Sequence, residues 1–517
     1  MNLLAWLKKL FASKPAPQPP VPPVNPVRPI AVVVYGSAGP LAGAKCVLSN
    51  IPAIEYPLTN TDGYTICDVS KDLRASHLFV TANGYAPYDC HVDLPDHGTD
   101  LVVGGTARPD QIQLPPLVPL VTFTIRKGLV RNEGRDWVDD DGPFYPLGDS
   151  LFWALRGWKF DRDRVKANID YIAKFNHDYV RILCHCLWPG NEIDSTWPDF
   201  PQVLAEFIDY AYSRGVRTEV TILGGSTNIN LTDLCNKIIN VVRERPEKIL
   251  DIEMANEWYS TGVTLPTMMT MSNQFMAAGI KNILALSSAE GGVTLEEARA
   301  GKMRVAGATM QTIHMDRGAG DDGWRAVRQP WDWKDLGFAV SHNEPIGPGS
   351  SVSECTNPLQ LAMLRATGIV CGVGAFVLHS GSGVYGVAYT HPSGMVRYAN
   401  LWEVPGIDAM MQAVRNVDKG LPTRIAGRMW NLQWAGNPCP ADSVWPNNPT
   451  GVNRQYMCDM GDQLVFVLNG VHDHVTVTPQ RPMRLEVYDP VTAVTHDHSG
   501  GPVTVATGAY IVRGFNL

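Results

Sequence analysis

The sequence predicts a multidomain protein in which a central (β/α)8 (TIM) barrel is flanked by N- and C-terminal β-sandwich domains. Its 517 residues exceed one ordinary core, since a domain typically holds about 150 residues. Residues from about 138 to 420 alternate short apolar strands with amphipathic helices. The segments on either side instead show short strands separated by turn residues, which is typical of sandwiches.

Composition and charge exclude several classes of protein. A hydrophobic fraction of 45% with 18% charged residues excludes a disordered chain. The formal net charge of −8 argues against a nucleic-acid partner, which requires clustered lysine and arginine. Ten cysteines are too sparse for a disulfide scaffold, and no apolar run reaches the roughly 20 residues of a membrane span.

The N-terminal segment predicts a short amphipathic helix over residues 1–14. Its apolar residues recur at helical spacing; they are Leu3, Leu4, Leu7, Leu10 and Phe11. We expect this helix to dock to a membrane surface or a larger assembly, and an atypical export signal or a disordered tail are the alternatives. Residues 15–29 contain eight prolines, which predict a stiff linker of about 45 Å.

Residues 30–120 predict a small β-sandwich. Turn signals separate its alternating apolar runs. The phrases Gly39–Ala44, Thr61–Tyr64 and Ala82–Tyr85 resemble the carboxypeptidase-regulatory-like (transthyretin-like) sandwich modules. The resemblance implies a spacer or binding unit.

Residues 121–420 predict the barrel. The strand candidates are Phe144–Gly148, Tyr179–Cys184, Arg217–Leu223, Ile249–Ala255, Asn282–Leu286, Ala308–Ile313, Phe338–His342 and Ala375–His379. Helical spacing between them is clearest at Val165, Ile169, Ile172 and Phe175, and at Val203, Leu204, Phe207, Ile208 and Ala211. Eight strands over this length match a barrel of about 250 residues. A doubly wound open sheet is the alternative, but the chain has neither a G-x-G-x-x-G between a strand and a helix nor a P-loop.

Residues 421–517 return to β character and predict the second sandwich. The strand-like runs are Leu464–Leu468, Val475–Val477, Met483–Tyr488 and Val503–Val505. Glycine, proline and aspartate lie between them, as expected for turns.

Two of the barrel strands end in carboxylates. The fourth is followed by Asn256, Glu257 and Trp258, and the seventh by Asn343 and Glu344. Functional residues of a parallel barrel lie at these carboxyl ends. At this point residues 138–420 resemble the retaining (β/α)8 glycoside hydrolases, the superfamily of cellulases, mannanases and β-galactosidases, which carry an Asn-Glu pair after strand four and one Glu after strand seven.

The resemblance implies double displacement on a poly- or oligosaccharide, without metal or other cofactor. Glu257 would be the acid/base and Glu344 the nucleophile, with their carboxyls about 5–5.5 Å apart. Asn256 would bind the sugar 2-hydroxyl. Glu257 must hold a proton near neutral pH to act as an acid. A neighbouring carboxylate and partial burial would favour this protonated form.

Further residues follow from the same resemblance. Arg181, on strand two, would keep the nucleophile ionised through a charge-assisted hydrogen bond. His314 stands after strand six, where many relatives have a tyrosine, and His379 after strand eight, where a tryptophan is frequent. His185 would reach the sugar, and Trp258 is the best candidate for stacking on a sugar ring.

Alternatives remain at the level of both residues and function. Glu219 and Glu253 lie inside strands, where they could line the barrel interior or pair with a cation. The chain could instead be a carbohydrate-binding or structural protein of a cell surface or virion, with a catalytically weak barrel. A metal-dependent barrel hydrolase would need a His/Asp cluster at strand ends, and strand one carries no His-x-His. The sequence leaves the localisation open among extracellular, cell-surface and virion-associated.

Overall fold

A computed structural model describes most of the barrel and parts of the flanking segments. The described residues are 27–36, 39–40, 44–49, 54–55, 64–70, 75–81, 88–93, 101–103, 112–114, 124–188, 192–225, 228–258, 262–288, 310–313, 338–344, 357–390, 396–421, 431–434, 455–459, 463–477, 479, 481–498 and 500–517. The chain divides into two compact units, Met1–Thr122 and Phe123–Leu517. The predicted helix over 1–14 and most of the predicted linker over 15–29 lie outside the described residues, as does His314.

The N-terminal unit contains two sheets. Its strands are β1 (Val27–Gly36), β2 (Gly39–Pro40), β3 (Lys45–Ser49), β4 (Ile54–Glu55), β5 (Tyr64–Ser70), β6 (Ala75–Thr81), β7 (Tyr88–Asp93), β8 (Leu101–Val103) and β9 (Ile112–Leu114). One sheet has the order β2-β1-β8-β9 with β5 also pairing with β1, and the other has the order β4-β3-β6-β7. Alternate residues are buried on β1 (Val32, Val34) and on β6 (Leu78, Val80), so each sheet has a buried face. The packing of the two sheets into a sandwich stays a prediction.

Strand β1 begins earlier than the sequence indicated. Val27 pairs with Ser70 of β5, so the last three residues of the predicted linker belong to a strand. Pro29 pairs with Asp68 within the same ladder.

The second unit contains a closed eight-stranded parallel barrel, which confirms the predicted barrel. Its strands are β13 (Leu147–Ser150), β14 (Tyr179–His185), β15 (Arg217–Leu223), β16 (Ile249–Ala255), β17 (Ile283–Ser288), β18 (Met310–Ile313), β19 (Ala339–His342) and β20 (Ala375–Leu378). Strand β20 pairs with β13, which closes the barrel. Only the first strand was predicted poorly, because Phe144 belongs to a preceding hairpin where it pairs with Trp137.

The described helices lie between successive barrel strands or after the last of them. They are α1 (Ala154–Phe160), α2 (Arg162–Lys174), α3 (Phe200–Ser213), α4 (Leu231–Val242), α5 (Leu265–Ala277), α6 (Pro358–Val370), α7 (Gly381–Tyr385) and α8 (Ile407–Gly420), with 3-10 turns at Pro246–Lys248 and Leu401–Glu403. The residues that predicted α2 and α3 by their spacing are buried against the barrel. Asn230, Thr264 and Asn357 accept backbone N–H bonds at the starts of α4, α5 and α6, as N-caps do. No helix in the described part of the chain is long and apolar enough to cross a membrane.

A small antiparallel sheet fills the amino-terminal end of the barrel. It consists of β10 (Arg131–Glu133), β11 (Asp136–Asp139) and β12 (Gly142–Phe144). Trp137 and Phe144 of this sheet share a buried cluster with Tyr179, Leu250 and Met310 of the barrel strands. The barrel is therefore closed by packed side chains at this end, and its polar strand ends lie at the other.

The C-terminal segment forms one six-stranded antiparallel sheet. After a short hairpin of β21 (Tyr389–Thr390) and β22 (Val396–Arg397), its strands are β23 (Asn431–Trp434), β24 (Gln455–Asp459), β25 (Gln463–Val477), β26 (Met483–Asp489), β27 (Val494–His498) and β28 (Val503–Asn516). The strand order is β23-β24-β25-β28-β26-β27. One face packs on the barrel core through Val465, Val467 and Ile511. Tyr488 on the same face donates to the Asn416 carbonyl of α8 over 2.8 Å.

The long antiparallel ladder of β25 and β28 bends. Its register shifts twice, between Leu468 and His474. Val503, at its far end, shares a buried cluster with Leu485 and Val512. The described residues thus form one bent sheet, and a sandwich of two separate sheets stays a prediction.

The contribution of Trp137 to packing at the amino-terminal end of the barrel can be tested by truncating its side chain. Trp137 is 1% exposed, whereas Trp402 is 40% exposed. We expect Trp137→Ala to lower the free energy of unfolding by about 3–5 kcal/mol, because it leaves a cavity at the base of the barrel. Trp402→Ala, the matched control, should change it by less than about 1 kcal/mol. Denaturant titrations of both variants would measure this, and equal losses would contradict the role of Trp137.

Candidate active site

A buried guanidinium organises the carboxyl end of the barrel. Arg181 on β14 is fully buried. Its Nη1 donates to Glu344 Oε1 (3.0 Å), and its Nη2 donates to Glu253 Oε2 (2.6 Å) and Asn256 Oδ1 (2.8 Å). Its Nε lies 3.2 Å from Glu219 Oε1. Side chains from strands two, three, four and seven therefore meet on one cation.

Glu253 is the best-satisfied carboxylate of this cluster. Besides Arg181, it accepts from Thr221 Oγ1 (2.8 Å), Thr312 Oγ1 (2.7 Å) and Asn343 Nδ2 (3.3 Å). Both of its oxygens therefore have hydrogen-bond donors, as buried polar groups require. Glu253 therefore pairs with the cation inside the barrel, which was one of the roles expected for it, and fixes the orientation of the guanidinium.

Glu219 and Asp251 lie deeper and have fewer partners. Burial raises the pKa of Glu219 to about 8, because it outweighs the nearby charge of Arg181 and adds to the repulsion from Glu253. Both oxygens of Asp251 lack a hydrogen bond, and burial with the charges of Glu219 and Glu253 raises its pKa well above the ordinary value. Glu219 is therefore mostly protonated at neutral pH, and burial opposes the ionisation of Asp251.

The two predicted catalytic carboxylates differ in environment. Glu344 is 3% exposed, whereas Glu257 is half-buried. Burial lowers the pKa of Arg181, but the charges of Glu253, Glu219 and Glu257 raise it above its ordinary value overall. Glu257 is thus within electrostatic reach of the guanidinium that binds Glu344. Its backbone has φ = 38°, a left-handed conformation that a non-glycine residue adopts at a cost and that is frequent at functional sites.

His379 lies on the other side of the Glu344 carboxylate. Its Nε2 is 3.7 Å from Glu344 Oε2, and its Nδ1 is hydrogen-bonded to Ser150 Oγ over 2.6 Å. The ring of Phe152 contacts His379 edge-on at 5.4 Å between centroids and lies 5.0 Å below the guanidinium of Arg181. One phenyl ring therefore supports both groups that approach Glu344.

His185 is buried at the end of β14. The Ser195 backbone N–H donates to its Nδ1 over 3.4 Å, so the ring proton of the neutral form lies on Nε2. Burial lowers its pKa, which favours that neutral form. By strand alternation the His185 side chain faces the same side of the strand as Arg181. His185 pairs in register with Leu223 of the next strand, and Leu223 pairs with Ala255, the residue before Asn256. A contact with the sugar stays a prediction.

The tryptophans divide into packing residues and candidates for the cleft. Trp153 and Trp158 belong to the barrel core. Trp188, Trp197 and Trp258 are only partly buried and pack against that core. Trp258 thus keeps an accessible part beside Glu257, as stacking on a sugar would require.

The structure brings Arg181, Asn256, Glu344 and His379 together, with Glu257 nearby. Several polar or aromatic residues of the site were not predicted from the sequence; they are Ser150, Phe152, Thr221 and Thr312. Strand alternation could have found Thr221, which faces inward two residues after Glu219. Among the described residues, no group of three or more His, Cys, Asp or Glu side chains is arranged to hold a metal ion.

Comparison with solved structures finds the same architecture in other proteins. A family 5 glycoside hydrolase from Bacteroides vulgatus ATCC 8482 superposes with a TM-score of 0.55 over 76% of this chain and 95% of its own, at 11% identity. A second protein from that organism superposes with a TM-score of 0.53 over 95% of this chain and 98% of its own, at 10% identity. A structure described as a glycoside hydrolase gives 0.52 over 76% of this chain and 97% of its own, at 11% identity. Protein-family models and curated proteins gave no match. At these identities the likeness shows a shared fold.

The buried acids predict a pH-dependent stability. The pKa of Glu219 is raised from its ordinary value of 4.5 to about 8, so between these values the folded state binds a proton that the unfolded state has lost. Its contribution to stability is present below about pH 4.5 and is lost as pH rises towards 8, by roughly 1 kcal/mol per pH unit. We expect Glu219→Gln to flatten this loss in denaturant titrations at several pH values.

The exposed Glu244 supplies the matched control. Its side chain is 77% exposed, so Glu244→Gln should leave the pH dependence of the wild type unchanged. Parallel stability curves for the wild type and Glu219→Gln would contradict a neutral Glu219.

Proposed function

We propose that this protein is a retaining glycoside hydrolase that cleaves a poly- or oligosaccharide by double displacement. The observation that carries the proposal is the contact set of Arg181, which binds Glu344 after strand seven and Asn256 after strand four. The same fold in named glycoside hydrolases is compatible with it. The sugar and the linkage are open, as is endo or exo action.

Arg181 and Asn256 prepare the nucleophile in this proposal. A hydrogen bond from a guanidinium stabilises the ionised carboxylate of Glu344, which must attack as an anion. Asn256 commits its Oδ1 to Arg181, so its Nδ2 is the atom that would donate to the sugar 2-hydroxyl. Such a bond strengthens in the transition state and contributes to the rate.

The reaction then takes two steps. A carboxylate oxygen of Glu344 bonds to the anomeric carbon while Glu257 gives its proton to the departing glycosidic oxygen. Water next attacks the same carbon, Glu257 takes its proton, and Glu344 is released as carboxylate. Both substitutions occur with inversion, so the sugar keeps its anomeric configuration overall.

The remaining predicted residues would bind the substrate. Trp258 adjoins the proposed acid and would stack on a sugar ring. His185, His314 and His379 would offer polar contacts around it. The predicted docking of the N-terminal helix concerns a part of the chain outside the described residues and stays a prediction.

The first test is a glycan panel with substituted carboxylates. We expect Glu344→Gln to abolish hydrolysis, because an amide cannot form the glycosyl ester. Glu257→Gln should lower kcat by about 10²- to 10⁴-fold on natural glycosides, the usual contribution of a general acid, and less on aryl glycosides whose leaving group needs no proton. The control Glu244→Gln should hydrolyse the same glycans as the wild type.

Stereochemistry and trapping separate the proposal from its alternatives. NMR of the first-formed product should show the retained anomer, and an inverted product would contradict double displacement. Equal turnover by wild type and Glu344→Gln would refute the catalytic assignment. Glycan binding without hydrolysis, and without trapping by a fluorosugar, would instead favour a carbohydrate-binding or structural protein.

A further inference from the structure

Ser150 and His379 meet where the barrel closes. Ser150 ends β13 and His379 follows β20, and these strands pair through Asp149 and Leu378, so the two residues lie side by side although 229 positions separate them. Both are buried, at 1% and 2% exposure. Their hydrogen bond therefore forms without competition from solvent.

The contacts of His379 determine where its ring carries a proton. Nε2 faces Glu344 Oε2 at 3.7 Å, and a lone pair on Nε2 would be repelled by the carboxylate. A proton on Nε2 is favoured in both charge states of the ring. The Ser150 hydroxyl can form a hydrogen bond in either charge state, because it can donate to Nδ1 of a neutral imidazole or accept from Nδ1–H of an imidazolium.

We propose that His379, held in place by its hydrogen bond with Ser150 and protonated on Nε2, positions the Glu344 carboxylate through Oε2, whereas Arg181 binds Oε1. The inference rests on the proposed function, in which Glu344 is the nucleophile. Ser150 is then a positioning residue that acts through His379. This contact comes from the end of strand eight, and His314, after strand six, lies outside the described residues.

The surrounding packing keeps Ser150 in place. A Cβ at Gly383 of α7 would lie 2.2 Å from the Ser150 carbonyl oxygen, so only glycine lets this helix pack against the end of β13. The Phe152 N–H donates to the Gly383 carbonyl over 2.8 Å, and Trp153 Nε1 donates to the Ser382 carbonyl over 3.0 Å. The Ser150 backbone thus belongs to a rigid corner between strands one and eight.

The separation of 3.7 Å suits an attacking oxygen. It is longer than a hydrogen bond, so the contact of His379 with Oε2 is electrostatic. Attack by Oε2 would preserve the bond from Arg181 to Oε1. His379 would thereby orient Oε2 without binding it too tightly to move to the anomeric carbon.

The first experiment needs no substrate and measures the histidine ring directly. With ¹⁵N-labelled histidine, NMR of the full chain reports which ring nitrogen carries the proton, and the signals of His379 are those lost in His379→Gln. In the wild type we expect the His379 ring to be protonated on Nε2. In Ser150→Ala the ¹⁵N chemical shift of Nδ1 should change, and some of the other tautomer should appear. In Glu344→Gln the ¹⁵N chemical shift of Nε2 should change. Ser195→Ala is the matched control, which should move the signals of His185 instead.

The second experiment uses the glycan that the wild type hydrolyses fastest. A glutamine amide can occupy the place of Nε2 and an asparagine amide that of Nδ1. We expect His379→Asn to lower kcat by about 10- to 100-fold, the value of one contact to a charged group, and His379→Gln to lower it less, with KM little changed in both. Ser150→Ala should give an intermediate loss.

Two results would overturn the proposal. One is that the ¹⁵N signals of the His379 ring stay unchanged in both Ser150→Ala and Glu344→Gln. The other is that His379→Asn has the same kcat as the wild type. Failure of the proposed function has a different signature, because the NMR shifts would persist while no glycan on the panel is hydrolysed.

Discussion

The buried charge of Arg181 is the constraint on which the mouth of the barrel depends. A guanidinium without solvent is tolerated only with nearby anions and with partners for its donors. Glu253 and Glu344 supply carboxylate oxygens, and Asn256 supplies an amide oxygen. Removing one partner would leave part of a buried charge uncompensated, so these side chains have to be present together.

The barrel explains how one side chain can reach so many strands. Inward residues of neighbouring parallel strands lie at similar heights, and Arg181 pairs in register with Glu219, as Thr221 does with Glu253. The amino-terminal end is filled by apolar side chains around Trp137, and the cluster around Arg181 lies towards the carboxyl end. The cluster therefore rests on a packed floor, which limits the freedom of the charged groups above it.

Local patterns predicted the barrel because each strand and helix carries its own periodicity, as in α3, whose apolar residues are buried as their spacing indicated. The first strand was misplaced because Phe144 is equally apolar in a hairpin as in a barrel strand. Arg181 and Glu344 were identified by family resemblance. The contact of Ser150 with His379 could not be predicted in this way, because it depends on the register between the first strand and the eighth.

In the proposed reaction, the unequal environments of Glu344 and Glu257 assign their roles. Glu344 is buried and forms an ion pair with Arg181, which stabilises the anion that attacks. Glu257 is half-buried, and a negative charge on Glu344 opposes loss of its proton. As Glu344 becomes a neutral ester, that opposition falls away, so Glu257 gives up its proton in the same step and can later accept one from water. The negative charge on Glu344 therefore has two effects. It makes Glu344 a nucleophile, and it favours the protonated form of Glu257 until the glycosyl ester forms.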